Sequence, residues 1–149
     1  MGKIIIGADH AGLDLKNHLV NWLKAQGYEC HDVGTHETSS VDYPDYAKTV
    51  AQAVSRGDYS RGLLVCGSGL GMAIAANKVS GIRAITAYDP IVARLSREHN
   101  DANVLALGGR LTPPMVAEEI VSIWLKTPFA GSRHQGRIDK IHQGEKGMC

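Results

Sequence analysis

Short apolar runs alternate along the chain with longer segments in which apolar residues recur every three or four positions. Runs rich in β-branched residues are typical of buried strands, and the longer spacing is typical of amphipathic helices. The runs predict five strands, at residues 3–7, 28–33, 62–66, 82–87 and 104–107. A helical pattern follows each of them, so the chain is predicted to contain five successive βα units.

The first helical pattern covers residues 13–26, where Leu15, Leu19 and Leu23 form an apolar stripe and Gly27 is placed to end the helix. Similar patterns predict helices at 45–56, 72–78, 89–98 and 112–125. Crossover helices between parallel strands must cover the faces of the sheet. The pattern therefore predicts a doubly wound three-layer α/β/α sandwich in one domain, residues 1–143, with a frayed, flexible polar tail at 144–149.

Length, charge and cysteine spacing exclude several classes of function. The length of 149 residues suits one domain, and a net charge of +1 gives no broad field to attract nucleic acid or an anionic membrane. No stretch suits a signal-peptide core or a membrane span, so we expect a cytoplasmic protein with neither partner. The three cysteines lack the spacing of a disulfide framework or a zinc site, and we expect no metal.

The loops after strands 1, 3, 4 and 5 are expected to hold a ligand, because such sheets bind ligands beyond the carboxyl ends of their strands. After strand 3, a glycine-rich turn, Cys66-Gly67-Ser68-Gly69-Leu70-Gly71, leads into a helix. Free amides there favour an anion, and a thiol in that setting can act as base or nucleophile. The alternatives are a glycine turn used for geometry alone and a buried structural cysteine.

Two familiar loops are excluded by Met72 and Ala73, which follow this turn. A nucleotide-binding P-loop needs Lys-Ser/Thr after its last glycine. A cysteine phosphatase needs an arginine at the place of Met72. The loop therefore favours neither nucleotide nor phosphatase chemistry.

Polar residues at the other strand ends complete a candidate site. Asp9 and His10 follow strand 1, where they suit hydroxyl binding and proton transfer, or only helix capping. His99 precedes strand 5 as an acid–base candidate, unless it only complements a helix dipole. Arginines that could hold a phosphate, or form a solvated basic face, are Arg110, Arg133 and Arg137. The set suits a phosphorylated sugar.

At these residues the chain resembles the type B ribose-5-phosphate isomerases, of the family shared with the galactose-6-phosphate isomerase subunits. The resemblance covers nearly the whole chain. The matching segments are Gly7-Ala8-Asp9-His10-Ala11-Gly12, Val41-Asp42-Tyr43-Pro44, Cys66-Gly67-Ser68-Gly69-Leu70-Gly71, Ala75-Ala76-Asn77-Lys78, Arg97-Glu98-His99-Asn100-Asp101-Ala102-Asn103-Val104 and Gly131-Ser132-Arg133-His134.

The resemblance implies a Rossmann-like sheet and the interconversion of ribose 5-phosphate and ribulose 5-phosphate, a step of the non-oxidative pentose phosphate pathway, without a cofactor. It also implies a homodimer whose sites borrow residues across the interface, and it leaves open whether dimers pair into tetramers. By position, Cys66 matches the proton-abstracting base, while Ser68 and His99 match groups that help open the furanose ring. One branch carries a glutamate base in the next turn, but Met72 stands there in this chain.

The remaining roles implied by the resemblance concern substrate binding. The backbone of Gly67, Gly69, Leu70 and Gly71 would stabilise the enediolate. The hydroxyl-binding residues would be Asp9, Tyr43 and Asn100. The phosphate-binding residues would be His10, Arg110, Arg133 and Arg137, with assistance from His134. Three alternatives stay open: an isomerase of a six-carbon phosphate such as allose 6-phosphate or galactose 6-phosphate, a phosphocysteine carrier, and a non-catalytic binding module.

Overall fold

The computed structural model describes residues 2–146. Its strands are β1 (Lys3–Ala8), β2 (Glu29–Asp32), β3 (Arg61–Cys66), β4 (Ala84–Thr86) and β5 (Val104–Gly108). Its α-helices are α1 (Leu13–Ala25), α2 (Tyr43–Ser55), α3 (Leu70–Ala76), α4 (Pro90–Asn100), α5 (Pro114–Lys126) and α6 (Arg133–Lys146). A short 3₁₀ turn, His10–Gly12, links β1 to α1.

The five strands form one parallel sheet in the order β2-β1-β3-β5-β4. The chain runs outward from β1 to β2 and then crosses to the other side of β1 to make β3. Crossovers therefore diverge between β1 and β3, which is where an open parallel sheet leaves a crevice at its carboxyl edge. The predicted five-stranded parallel sheet and α/β/α sandwich are confirmed.

Side chains that alternate in direction along the strands form two cores, one on each face of the sheet. On β3, Leu63 and Val65 face the core that α1, α4 and α5 cover, whereas Leu64 and Cys66 face the core under α2 and α3. Successive side chains of a strand point to opposite faces, so a strand buried on both faces must be apolar throughout. This requirement explains why the apolar runs locate the strands.

The predicted ends of several elements were wrong. Strand β4 is only Ala84–Thr86, because the Ile82 amide donates to the Val79 carbonyl and closes a turn before the strand begins. Helix α2 starts at Tyr43 rather than at residue 45. Pro44 is tolerated in the first turn, because the N–H that proline lacks would have no helical partner there.

The predicted polar tail is also corrected, because α6 continues to Lys146. Within this last turn the Glu145 carboxylate accepts hydrogen bonds from the Ser80 hydroxyl at 2.8 Å and from the Gly81 amide at 3.1 Å. Residues 144–146 are therefore attached to the domain. The rest of the predicted tail, 147–149, lies outside the described residues.

Candidate active site

A cleft of about 560 Å³ opens at the carboxyl edge of the sheet, over the ends of β1, β3 and β5. Its lining residues are Asp9, His10, Ala11, Tyr43, Cys66, Gly67, Ser68, Gly71, Arg110 and Leu111. The cleft lies at the crevice that the sheet topology creates. Eight of these ten residues belong to the site predicted from the sequence; Ala11 and Leu111 do not.

Cys66 is the last residue of β3, and its side chain reaches the floor of this cleft. The amide of Gly69 donates to Cys66 Sγ at 3.1 Å. An N–H directed at sulfur stabilises negative charge there. By contrast, burial and the neighbouring Asp32 carboxylate raise the pKa of Cys30 to about 11, so Cys30 stays a neutral thiol at neutral pH. Of these two cysteines, Cys66 is the one that lines the cleft.

The loop after Cys66 depends on the glycine at position 69. Gly69 has φ 82°, in the left-handed region that favours glycine, and a Cβ there would come within 2.9 Å of both the Leu107 carbonyl carbon and Thr86 Cγ2. The tight turn lets the Leu70 amide donate to Ser68 Oγ at 3.2 Å. Gly69 and Leu70 thus shape the loop, although neither lines the cleft.

Asp9 and His10 are positioned by the backbone around them. Asp9 is buried, and its Oδ1 accepts a hydrogen bond from the Gly12 amide at 3.0 Å. It therefore caps the 3₁₀ turn and lines the cleft at the same time. The Val41 amide donates to His10 Nδ1 at 3.2 Å, so a neutral His10 carries its proton on Nε2. That N–H is available as a donor to a ligand.

Tyr43 and Arg110 both line the cleft, and each packs on a glycine of the Cys66 loop. A Cβ at position 71 would come within 2.5 Å of the Tyr43 ring, so only glycine leaves room for the ring in this position. The Arg110 guanidinium lies over Gly67, with Nη1 3.3 Å from where a Cβ would stand. These contacts put a phenol and a positive charge beside Cys66.

The other five predicted residues form a second group, away from this lining. His99 and Asn100 end α4, while Arg133, His134 and Arg137 lie in the first turns of α6. The end of α4 is held by the buried Arg97, which donates to Asp101 Oδ1 and to the Ala102 carbonyl, both at 2.7 Å. Asn100 faces a separate groove that Ile141 also lines. Within one chain the structure therefore divides the predicted site into two groups.

Charge and burial distinguish the residues of this second group. His134 is buried against His99, while Arg133 and Arg137 are exposed one turn apart. Loss of hydration, together with the charge of Arg133 and smaller effects of His99 and Arg137, lowers the pKa of His134. A neutral imidazole next to two exposed guanidinium groups suits an anionic ligand.

Thr86 and Tyr88 contact the Cys66 loop and were missed by sequence reasoning. The Thr86 hydroxyl donates to the Gly69 carbonyl at 2.9 Å, and the Tyr88 hydroxyl donates to the Ser68 carbonyl at 2.7 Å. Both lie at or just after the carboxyl end of β4. That position was the available signal, but neither side chain carries chemistry that marks it in a sequence.

Among residues 2–146, no three His, Cys, Asp or Glu side chains converge in a way that could hold a metal ion. No helix in the same range is long and apolar enough to cross a membrane. Metal-free chemistry stays a prediction, which activity in the presence of a chelator tests.

The model of the ribose/galactose isomerase family matches residues 4–141. Ribose-5-phosphate isomerase B of Clostridium thermocellum superposes with a TM-score of 0.97 at 52% identity, over 99% of each chain. Ribose-5-phosphate isomerase B of Escherichia coli is 47% identical over 95% of each chain. D-erythrulose-4-phosphate isomerase of Pectobacterium atrosepticum is 42% identical over 95% of this chain and 93% of that protein.

Proposed function

This chain belongs to the ribose/galactose isomerase family, and we propose that it interconverts D-ribose 5-phosphate and D-ribulose 5-phosphate. The observation that carries the proposal is the placement of Cys66 Sγ, 3.1 Å from the Gly69 amide on the floor of a cleft with Asp9, His10 and Arg110. An aldose–ketose isomerase needs a base at the sugar carbons, a donor for the enediolate and a cation for the phosphate. The cleft offers all three.

In the proposed reaction the thiolate of Cys66 removes the proton from C2 of the open-chain aldose. The electron pair moves into a C1–C2 double bond and the O1 oxygen becomes the enediolate oxyanion, which loop amides stabilise. Transfer of the O2 hydroxyl proton to O1, together with return of the carbon-bound proton from Cys66 to C1, gives the ketone and regenerates the thiolate. Ser68 and His99 assist the preceding ring opening, in which the anomeric hydroxyl loses a proton and the ring oxygen gains one.

Substrate contacts are assigned to both groups of residues. In the cleft, Asp9 and Tyr43 bind sugar hydroxyls, while His10 Nε2–H and the Arg110 guanidinium bind the phosphate. Asn100 of the second group binds a hydroxyl. Further phosphate contacts in that group come from Arg133, His134 and Arg137. These roles rest on the chemistry of the side chains and on the family pattern.

We assign the second group to the partner subunit of a homodimer with shared sites. Two features support this. The second group does not line the cleft of its own chain. In addition, large apolar side chains are exposed on α3, α4 and α5 and on the loop before α5: Leu70, Ile74, Ile91, Leu111 and Met115. We expect these exposed apolar side chains to contribute to an interaction surface. Pairing of dimers into tetramers, and a cytoplasmic location, stay predictions.

The test is to monitor by NMR the conversion of ribose 5-phosphate by the purified protein in the presence of EDTA. A substrate panel should contain D-erythrulose 4-phosphate, because a family relative carries that activity in its name, and allose 6-phosphate and galactose 6-phosphate. We expect ribulose 5-phosphate to form, with the largest kcat/KM on the five-carbon pair. Preference for another member of the panel would reassign the substrate, and no turnover of any of them would overturn the isomerase proposal.

A further inference from the structure

The peptide unit between Ser68 and Gly69 is hydrogen-bonded at both of its ends. Its carbonyl oxygen, on Ser68, accepts from the Tyr88 hydroxyl at 2.7 Å. Its N–H, on Gly69, donates to Cys66 Sγ at 3.1 Å. Because a peptide unit is planar, fixing the direction of the carbonyl fixes the opposite direction of the N–H. The Tyr88 hydroxyl therefore helps to fix where the Gly69 amide points.

The hydrogen bond from Tyr88 affects the polarity of the Gly69 N–H as well as its direction. A donor on a carbonyl oxygen polarises the peptide, and consecutive hydrogen bonds of this kind strengthen one another. The Gly69 N–H becomes a better donor to Cys66 Sγ as the Tyr88 hydroxyl binds the Ser68 carbonyl. Tyr88 can thus stabilise a thiolate without touching it.

We propose that Tyr88 is a positioning residue for the Cys66 base, acting through the peptide between Ser68 and Gly69. The proposal rests on the proposed function only for the catalytic role of Cys66. Tyr88 follows β4, the residue is 43% exposed, and among the described residues it is not part of the cleft lining. Its effect on chemistry therefore has to pass through the loop rather than through contact with substrate in this cleft.

The next peptide of the loop provides a matched control. The Thr86 hydroxyl donates to the Gly69 carbonyl, and the N–H of that peptide, on Leu70, donates to Ser68 Oγ. Thr86→Val removes a hydroxyl of β4 that donates to the same loop, without breaking the path to Cys66. Tyr59→Phe is a second control, since Tyr59 stacks on His31 of β2, and β1 separates that strand from β3, which carries Cys66.

The experiment is the rate of iodoacetamide alkylation of Cys66 at pH 7, resolved by peptide mass spectrometry so that other cysteines do not contribute. Tyr88→Phe should lower this rate about three- to fivefold, the effect of one lost hydrogen bond in a polarised chain. Thr86→Val and Tyr59→Phe should keep the wild-type rate. With ribose 5-phosphate, Tyr88→Phe should lower kcat by a similar factor and leave KM within about twofold.

An unchanged alkylation rate in Tyr88→Phe would overturn the proposal, and so would an equal fall in Thr86→Val, which indicates general loosening of the loop. If Tyr88→Phe fails to fold, Tyr88→3-fluorotyrosine keeps the ring and makes the hydroxyl a stronger donor. A faster alkylation then supports the relay and an unchanged rate overturns it. Alkylation needs no substrate, so absence of sugar-phosphate turnover in the wild type would count against the proposed function alone.

Discussion

The imidazole rings of His99 and His134 lie face to face, with centroids 4.5 Å apart and planes inclined by 16°. His99 ends α4 and His134 belongs to the first turn of α6, so the contact joins the two helices that carry the second group. The exposed guanidiniums of Arg133 and Arg137 flank it. This pair of rings organises a basic surface that is separate from the Cys66 cleft of the same chain.

His134 should make stability depend on pH. Its pKa is lowered in the folded protein. Below about pH 6.5, residue 134 therefore binds a proton in the unfolded chain that it does not yet bind in the folded protein. Stability is therefore full above that pH and falls as pH drops towards the folded pKa. Thermal melts from pH 8 to pH 5 should show a steeper loss of Tm in wild type than in His134→Gln. The difference in Tm between the two proteins at pH 8 measures the effect of the substitution on packing alone. Parallel curves of Tm against pH would contradict a lowered pKa of His134 in the folded protein.

The buried ion pair between α1 and β2 should respond asymmetrically to mutation. Lys16 Nζ is fully buried, 2.6 Å from Asp32 Oδ2. Asp32→Asn leaves a buried ammonium without its counter-charge and should cost about 3–5 kcal/mol in the free energy of unfolding. Lys16→Met should cost less, because Asp32 is partly exposed and keeps the Gly34 amide as a donor.

Urea denaturation measures both variants of this pair. The exposed pair of Lys3 and Glu29, at 3.8 Å, provides the control. Lys3→Met should change stability by no more than about 0.5 kcal/mol. A Lys16→Met variant as unstable as Asp32→Asn would show that the cost comes from the volume and packing of the site and not from unpaired charge.

The sheet could be predicted from the sequence because a strand buried on both faces has to be apolar. Leu63, Leu64 and Val65 illustrate this, since all three are fully buried. The start of β4 could not be predicted in this way. Ile82 is as apolar as Ile85 within the strand, but a turn hydrogen bond to Val79 keeps it outside the strand.

The cleft was predictable for a related reason: its residues follow strands whose carboxyl ends must meet. Cys66, Asp9 and Arg110 come from different parts of the chain, and the parallel topology alone brings them together. Separation of the His99 group from the cleft depends on how α4 and α6 pack, which no local pattern specifies. The hydroxyl of Tyr88 was missed because its partner is a backbone carbonyl.

Gly71→Ala should weaken substrate binding more than it weakens the fold. The added methyl would overlap the Tyr43 ring, whose exposed end can swing away at small cost in stability. We expect KM for ribose 5-phosphate to rise several-fold with Tm nearly unchanged. Gly144→Ala is the matched control, because a Cβ there meets nothing within 4 Å among the described residues. Unchanged KM in Gly71→Ala would argue against substrate binding by Tyr43.

Shared sites can be tested by subunit mixing. Cys66→Ala and His99→Asn should each be inactive as homodimers. A mixed dimer would hold one complete site if His99 acts in the partner's cleft, so an equal mixture should recover roughly a quarter of wild-type activity. Each variant refolded alone is the control. Recovery of no activity, with mixed dimers demonstrated by mass spectrometry, would place both residues in a site within one chain.

The central claim is that Cys66 transfers the proton in the isomerase reaction, and the direct measurement is kcat for ribose 5-phosphate in Cys66→Ala beside Cys30→Ala. Removal of a general base should lower kcat by at least about a hundredfold. Cys30, whose raised pKa keeps it a thiol, should be dispensable. The account predicts loss of turnover in Cys66→Ala alone, with both variants folded by circular dichroism. A Cys66→Ala enzyme that retains kcat within a fewfold of wild type would contradict it.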